Sequence, residues 1–117
     1  MKPNSERAIK KAVVKWLNLQ PQTFAFVVTT TGIPDFKRKG GFRTNPNSGI
    51  ADVLGVKQIT VGLHVIGVPF AFEVKREKMK LSMRQRIFLE RFSKAGGWSF
   101  VVHSLEEAIQ SFNAITV

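Results

Sequence analysis

The sequence has no cysteine, which removes disulfides and thiolate metal sites and fits a cytoplasmic protein. It is also poor in acids, with eight Asp and Glu against eighteen Lys and Arg and a net charge of +10. No apolar run reaches the length of a membrane span. The stretch Val61 to Phe72 is broken by His64 and Pro69 and is too short. No apolar signal core precedes Trp16, so export is not expected. The phosphate loop G-x-x-x-x-G-K-S/T and the nucleophile elbow G-x-S-x-G are both missing, which argues against nucleotide hydrolysis and serine-type acyl transfer. No helix-turn-helix or zinc finger suggests reading of base sequence. His64 and His103 have no ligand at metal spacing, so packing in the core or at a strand end explains them better than zinc. Internal repeats and low-complexity tracts are also missing.

What remains is one basic domain, residues 1–117, long enough for a single core. The charge excess points to a polyanion. Without an amphipathic basic helix, that polyanion is nucleic acid rather than a membrane surface. The ten phenylalanines are expected to pack in the core rather than stack on bases.

Apolar periodicity predicts a helix over residues 5–18, with Ser5 as N-cap and Glu6 in its first turn. Residues 24–31 are β-branched and aromatic and read as a strand. Residues 32–49 hold four glycines, two prolines and the basic cluster Lys37, Arg38, Lys39 and Arg43. A polar loop this long inside a compact domain suggests a phosphate-gripping arm, though a solvated charged loop has the same composition. Three strands are expected over 50–56, 59–66 and 70–75, with a turn at Gly67-Val68-Pro69. A second helix starts from the capping box Ser82-Met83-Arg84-Gln85, buries Ile87, Phe88, Phe92 and Ala95, and stops at Gly96-Gly97. A strand over 98–102 follows. A second capping box, Ser104 with Glu107, opens a closing helix that ends near Phe112. The expected fold is α/β, a central mixed sheet flanked by helices, with a parallel strand pair around the second helix.

Two acids interrupt the apolar strands. Asp52 lies in the run from Gly49 to Val56, and Glu73 follows Phe70-Ala71-Phe72. Carboxylates are rarely tolerated there unless paired or bound to metal. Side chains alternate along a strand, so Glu73 and Lys75 point to one face. Two carboxylates bind a hard divalent cation such as Mg²⁺, and a neighbouring lysine can orient water and offset charge. This is the chemistry of metal-dependent phosphodiester hydrolysis. Asp35, in Gly32-Ile33-Pro34-Asp35, competes with Asp52, but a glycine-rich turn explains that proline and aspartate. Glu6 has two readings, a metal-site carboxylate or a favourable charge at the positive end of its helix.

The ordered features Glu6, Asp52, Glu73-Val74-Lys75 and Leu81-Ser82-Met83-Arg84-Gln85, then Gly96-Gly97-Trp98, resemble the VRR-NUC branch of the PD-(D/E)xK nuclease superfamily. The likeness runs from about Glu6 to Val102, with Ala51 where the family usually has proline. It implies a restriction-endonuclease-like core. It also implies a Mg²⁺ or Mn²⁺ site of Asp52, Glu73, the Val74 carbonyl and Glu6, with Lys75 and Gln85 also at the catalytic centre. Lys37, Arg38, Lys39, Arg43, Arg76 and Arg84 would then grip phosphates. Stand-alone phage and bacterial members of this branch act on branched DNA, notably four-way junctions, so the expected protein is a homodimeric, structure-selective endonuclease. The segment Ile59 to Phe70 is the candidate dimer interface, with the core of the sheet as the other reading of the same apolar run. The alternatives are a flap or splayed-arm nuclease in a larger repair or restriction assembly, and a non-catalytic basic DNA-binding module.

Overall fold

The structure, a computed structural model, describes residues 5–29, 33–34, 42–43 and 49–117. Helix α1 (Glu6–Leu19) starts where Ser5 accepts a hydrogen bond from the Ala8 amide at 3.1 Å, which satisfies one of the free donors of the first turn. Its stripe Ile9, Val13 and Leu17 is buried. Strand β1 (Thr23–Val27) follows, and Asn18 at the end of α1 bonds both the amide and the carbonyl of its Ala25, at 2.9 and 3.0 Å. The expected long loop contains a short antiparallel pair, β2 (Ile33–Pro34) with β3 (Phe42–Arg43). Ladder pairing therefore enters a stretch whose glycines and prolines read as loop throughout. Asp35, Lys37, Arg38 and Lys39 lie outside the described residues, as does the side chain of Arg43.

The main sheet is completed by β4 (Val53–Val61), β5 (His64–Val74) and β6 (Trp98–Val102), in the order β1-β4-β5-β6. The first two pairings are antiparallel, and β5 with β6 is parallel. The mixed sheet expected from the sequence is therefore present. Helix α2 (Met83–Lys94) connects the parallel pair, and α3 (Leu105–Ala114) closes the described chain. Among the described residues no helix is long and apolar enough to cross a membrane.

Three expected strands become two, because the turn lies at Gly62-Leu63 and not at Gly67-Val68-Pro69. Gly62 has φ +59°, a conformation that glycine adopts without steric cost. Pro69 is inside β5, ahead of the point where β6 pairing begins at Phe70. Among the described residues no strand pairs with that side of β5 at Pro69, so the missing amide donor breaks no described ladder.

Alternation along β5 sends Phe70, Phe72 and Val74 to one face, where they pack with Ile9, Val13, Leu17 and Phe112 from α1 and α3. Phe70 and Phe72 are fully buried, and truncating either to alanine costs about 3–5 kcal/mol. Ala71 and Glu73 face the other way, toward α2, where Ala51, Ala71 and Leu89 form a smaller cluster.

The α2 stripe is shifted from expectation. Leu89 is the buried residue, Phe88 and Phe92 are half-buried, and Ile87 and Ala95 are exposed; α2 packs mainly on β6. On the same face Phe24 and Phe26 of β1 are 64% and 46% exposed, so not every phenylalanine is core. The second capping box is half made. Ser104 accepts from the Glu107 amide at 3.1 Å, but the Glu107 carboxylate turns to His103, taking its backbone amide at 3.1 Å and lying 3.0 Å from its Nδ1. His64 opens β5 at the exposed hairpin tip and packs against no core.

Candidate active site

The antiparallel register pairs Val53 with Phe72, so the next residues outward are Asp52 on one strand and Glu73 on the other. Asp52 Oδ2 accepts from the Val74 amide at 2.8 Å. Amide and carbonyl of one strand residue leave on the same side, so the Val74 carbonyl also opens toward Asp52. Both acids are buried, Glu73 at 2% exposure and Asp52 at 8%. Lys75 follows β5 with Nζ 4.0 Å from Glu73 Oε2. The strand alternation thus delivers the acid and the amine side by side, as the sequence predicts.

Two helix starts converge on this end of the sheet. At α2, Ser82 and Gln85 form the reciprocal capping box. The same Gln85 side chain donates from Nε2 to Glu73 Oε2 at 3.1 Å. Gln85 is therefore both cap and site residue, two roles that the sequence leaves compatible. At α1, Lys10 Nζ lies 3.5 Å from Asp52 Oδ1. Sequence reasoning leaves Lys10 on the polar helix face. The signal for it is its position one turn after Glu6, which puts both on one face. Glu6 itself accepts from the Arg76 amide through Oε2 at 3.2 Å, so it touches the connecting segment that follows β5 and not the two acids.

Gly49 holds the approach to Asp52 against α2. It has φ +94°, and a β-carbon there would come within 2.8 Å of Arg84 Cβ. Only glycine allows both the backbone conformation and the close approach. Arg76 and Arg84 are exposed at the rim.

Burial pushes the Glu73 carboxyl up from its ordinary 4.5 to about 8, the neighbouring Asp52 charge adds to the rise, and Lys75 and Lys10 oppose it. Without a cation the pair therefore retains a proton near neutral pH. While both acids are ionised, Glu73 Oε1 is buried and receives no donor; the retained proton is shared with Asp52 through a side-chain hydrogen bond, which also raises the Glu73 pKa. A buried oxygen left without a donor is costly, and it is a position that a cation would satisfy. Among the described residues no group of three His, Cys, Asp or Glu side chains is placed to hold a metal ion. The donor set that fits is thus two carboxylates and a carbonyl, with other positions open to water or a phosphate oxygen.

The chain matches no protein-family model, no curated protein and no solved structure.

Proposed function

We propose that this chain is a divalent-metal-dependent, structure-selective DNA endonuclease with a restriction-endonuclease-like core of the VRR-NUC kind. The observation that carries the reading is the unpartnered, buried Glu73 Oε1 beside Asp52, with Lys75 against the same glutamate. Asp52, Glu73 and the Val74 carbonyl are the groups that would hold Mg²⁺ or Mn²⁺. The bound ion supplies Lewis-acid stabilisation of the phosphate and a water of lowered pKa.

The chain's own residues do the rest. Lys75 positions the attacking water and offsets charge that develops on the phosphate. Gln85 fixes the Glu73 carboxylate from the first turn of α2. Lys10 holds Asp52 in place by charge. Glu6 anchors the backbone at Arg76, directly behind Lys75, and in this reading reaches the metal only through water. Arg76, Arg84 and the loop cations Lys37, Arg38, Lys39 and Arg43 bind phosphates without reading sequence.

The preferred substrate is a four-way junction, cut by a homodimer. The outer half of the β4–β5 hairpin supports the dimer. Residues 58–67 carry no Asp, Glu, Lys or Arg, and Val61, Leu63 and Val65 are 47%, 100% and 63% exposed. Val68 and Phe70 are core, so the contact surface is narrower than Ile59 to Phe70. An uncharged hairpin with open edges is a template for pairing with a second copy.

The test is a panel of four-way junction, flap, splayed arm, duplex and single strand, each with Mg²⁺, Mn²⁺ or EDTA. The reading requires cleavage of branched DNA with metal and none in EDTA. Cleavage of flaps with intact junctions would move the assignment to a flap nuclease. Binding without any cleavage would leave a basic DNA-binding module.

A further inference from the structure

A groove of about 590 Å³ runs beside the candidate active site, between the chain leading to Asp52 and one face of α2. Ile50, Ile87, Phe88 and Phe92 form its apolar wall, and Arg84 and Arg91 line it as well. The arginines are seven residues apart, two helical turns or about 10.5 Å of rise. The Phe88 and Phe92 rings are stacked, with centroids 5.6 Å apart. No acid is among the described residues that line the groove. Among the described residues, neither guanidinium has a hydrogen bond or ion pair.

The groove joins the site on both walls. Gly49 and Ile50 lead directly into Asp52, and Arg84 precedes the Gln85 that holds Glu73. A ligand reaching from the carboxylates into the groove needs no intervening segment.

We propose that this groove receives one unpaired nucleotide of the DNA strand being cut, its base against the apolar wall and its flanking phosphates on Arg84 and Arg91. The inference rests on the endonuclease reading and deepens it: the arms of a four-way junction are paired up to the branch, so the nucleotide that enters the groove is one unpaired at the branch point. Phosphates alone would need the two cations but not the apolar wall between them. In a duplex the base faces are stacked on their neighbours and cannot cover that wall. An unpaired base has a free π-face for the apolar side chains and for the guanidinium planes. Arg91 becomes a DNA-contacting residue, and Ile87, nearly half-exposed on α2, gains a partner for its apolar surface.

The experiment measures binding in Ca²⁺, which accepts looser oxygen coordination than Mg²⁺ and separates binding from cleavage. A splayed-arm DNA and a fully paired duplex of equal length are compared. In the splayed arm, 2-aminopurine replaces each base in turn near the branch. Ile87→Ser and Arg91→Ala, singly and together, are the variants. Both positions are exposed, and melting temperatures check that the fold survives. Wild type should show a fluorescence change at one unpaired position. The double variant should lose that change and about tenfold in affinity for the splayed arm, the weight of one base stack, with less than about a twofold change on duplex.

Equal losses on both DNAs would leave only phosphate gripping and overturn the proposal. Unchanged binding of the splayed arm would overturn it too, as would a groove that takes a peptide and not DNA. Cleavage by wild type with Mg²⁺, read in parallel, separates the two readings. If wild type cuts and the variants keep the preference for unpaired DNA, the groove assignment falls alone. If wild type binds with the fluorescence change but never cuts, the endonuclease reading falls and the nucleotide groove remains. If it binds no DNA, both fall.

Discussion

Gln85 ties the first turn of α2 to the buried acid Glu73, donating from Nε2 to Glu73 Oε2 at 3.1 Å while its Oε1 accepts from the Ser82 amide at 2.9 Å. One side chain completes a helix cap and orients a carboxylate. Two variants separate the roles. Ser82→Ala removes the cap hydroxyl and should cost about 1 kcal/mol of stability with cleavage retained. Gln85→Ala removes the amide from Glu73 and should lower cleavage at least about tenfold, the scale of a lost hydrogen bond to a charged group. Melting curves and initial rates read the two effects. Equal loss of cleavage in both variants would assign the effect to the cap and not to the amide.

Catalysis should separate from binding. Asp52→Asn weakens the carboxylate pair and Lys75→Ala removes the amine beside Glu73. Each should reduce cleavage by about 10² or more, with DNA affinity within a few-fold of wild type by gel shift in Ca²⁺. Asp35→Asn, outside the described residues, is the control and should cut normally. An inactive Asp35→Asn with an active Asp52→Asn would reverse the choice of aspartate.

The Glu73 proton gives a pH signature. In the metal-free fold the carboxyl is raised from 4.5 to about 8, first by burial and then by Asp52. Between these values the folded chain holds a proton that the unfolded chain has released. Stability in EDTA should therefore be highest at and below about pH 4.5, as far as this group contributes, and should fall as pH rises toward 8. Glu73→Gln should remove that part of the slope. A divalent ion competes with the proton, so its apparent affinity should rise with pH up to about 8, by at most about tenfold per unit for one proton. Thermal melts over pH 5–9, with EDTA or Mg²⁺, give both slopes. Parallel slopes for wild type and Glu73→Gln would exclude Glu73 as the titrating group.

Much of the fold and of the acid pair is legible in the sequence, for identifiable reasons. Period-two alternation places Glu73 and Lys75 on one face, and the Ser82 and Ser104 caps mark both later helix starts. The hairpin turn is not legible. Gly67 and Pro69 are stronger local punctuation than Gly62, but the long β4–β5 register overrides them, and Pro69 is tolerated only because β6 starts one residue later. Lys10 is only half legible: its place one turn after Glu6 puts it on that residue's face, but its ion pair with Asp52 spans forty-two positions and is a tertiary contact. Lys57 is a further case. It reaches from β4 to the α3 carbonyls of Phe112 and Ile115 at 2.7 and 3.2 Å, a tertiary C-cap that no short motif announces.

The basic loop should act through phosphates. Replacing Lys37, Arg38 and Lys39 with alanine removes three positive charges. Affinity should fall alike on all DNA sequences. The slope of log affinity against log salt should become shallower by up to about three units if all three side chains meet phosphates. Fluorescence anisotropy across a salt series gives the slope directly, and an unchanged slope would assign the loop to solvent.

The hairpin arm should hold two copies together. Each chain offers one carboxylate pair, whereas resolving a four-way junction takes two cuts on strands related by approximate two-fold symmetry. A two-fold dimer supplies that geometry. The arm suits the contact because Leu63 is fully exposed at its tip and Val61 and Val65 flank it. Among the described residues its outer part has open edges, since β1 pairs with β4 as far as Lys57 and β6 pairs with β5 from Phe70. Light scattering should therefore give twice the 13.1 kDa chain mass. Leu63→Lys with Val65→Lys places two like charges on a surface that would face its own copy, and should yield monomers with an intact melting transition. Those monomers should nick junctions without resolving them. Mixed dimers of wild type with Lys75→Ala should likewise cut one strand and release few paired products. A wild-type chain that stays monomeric at working concentration yet makes both cuts would refute the dimer mechanism and leave the arm free for another partner.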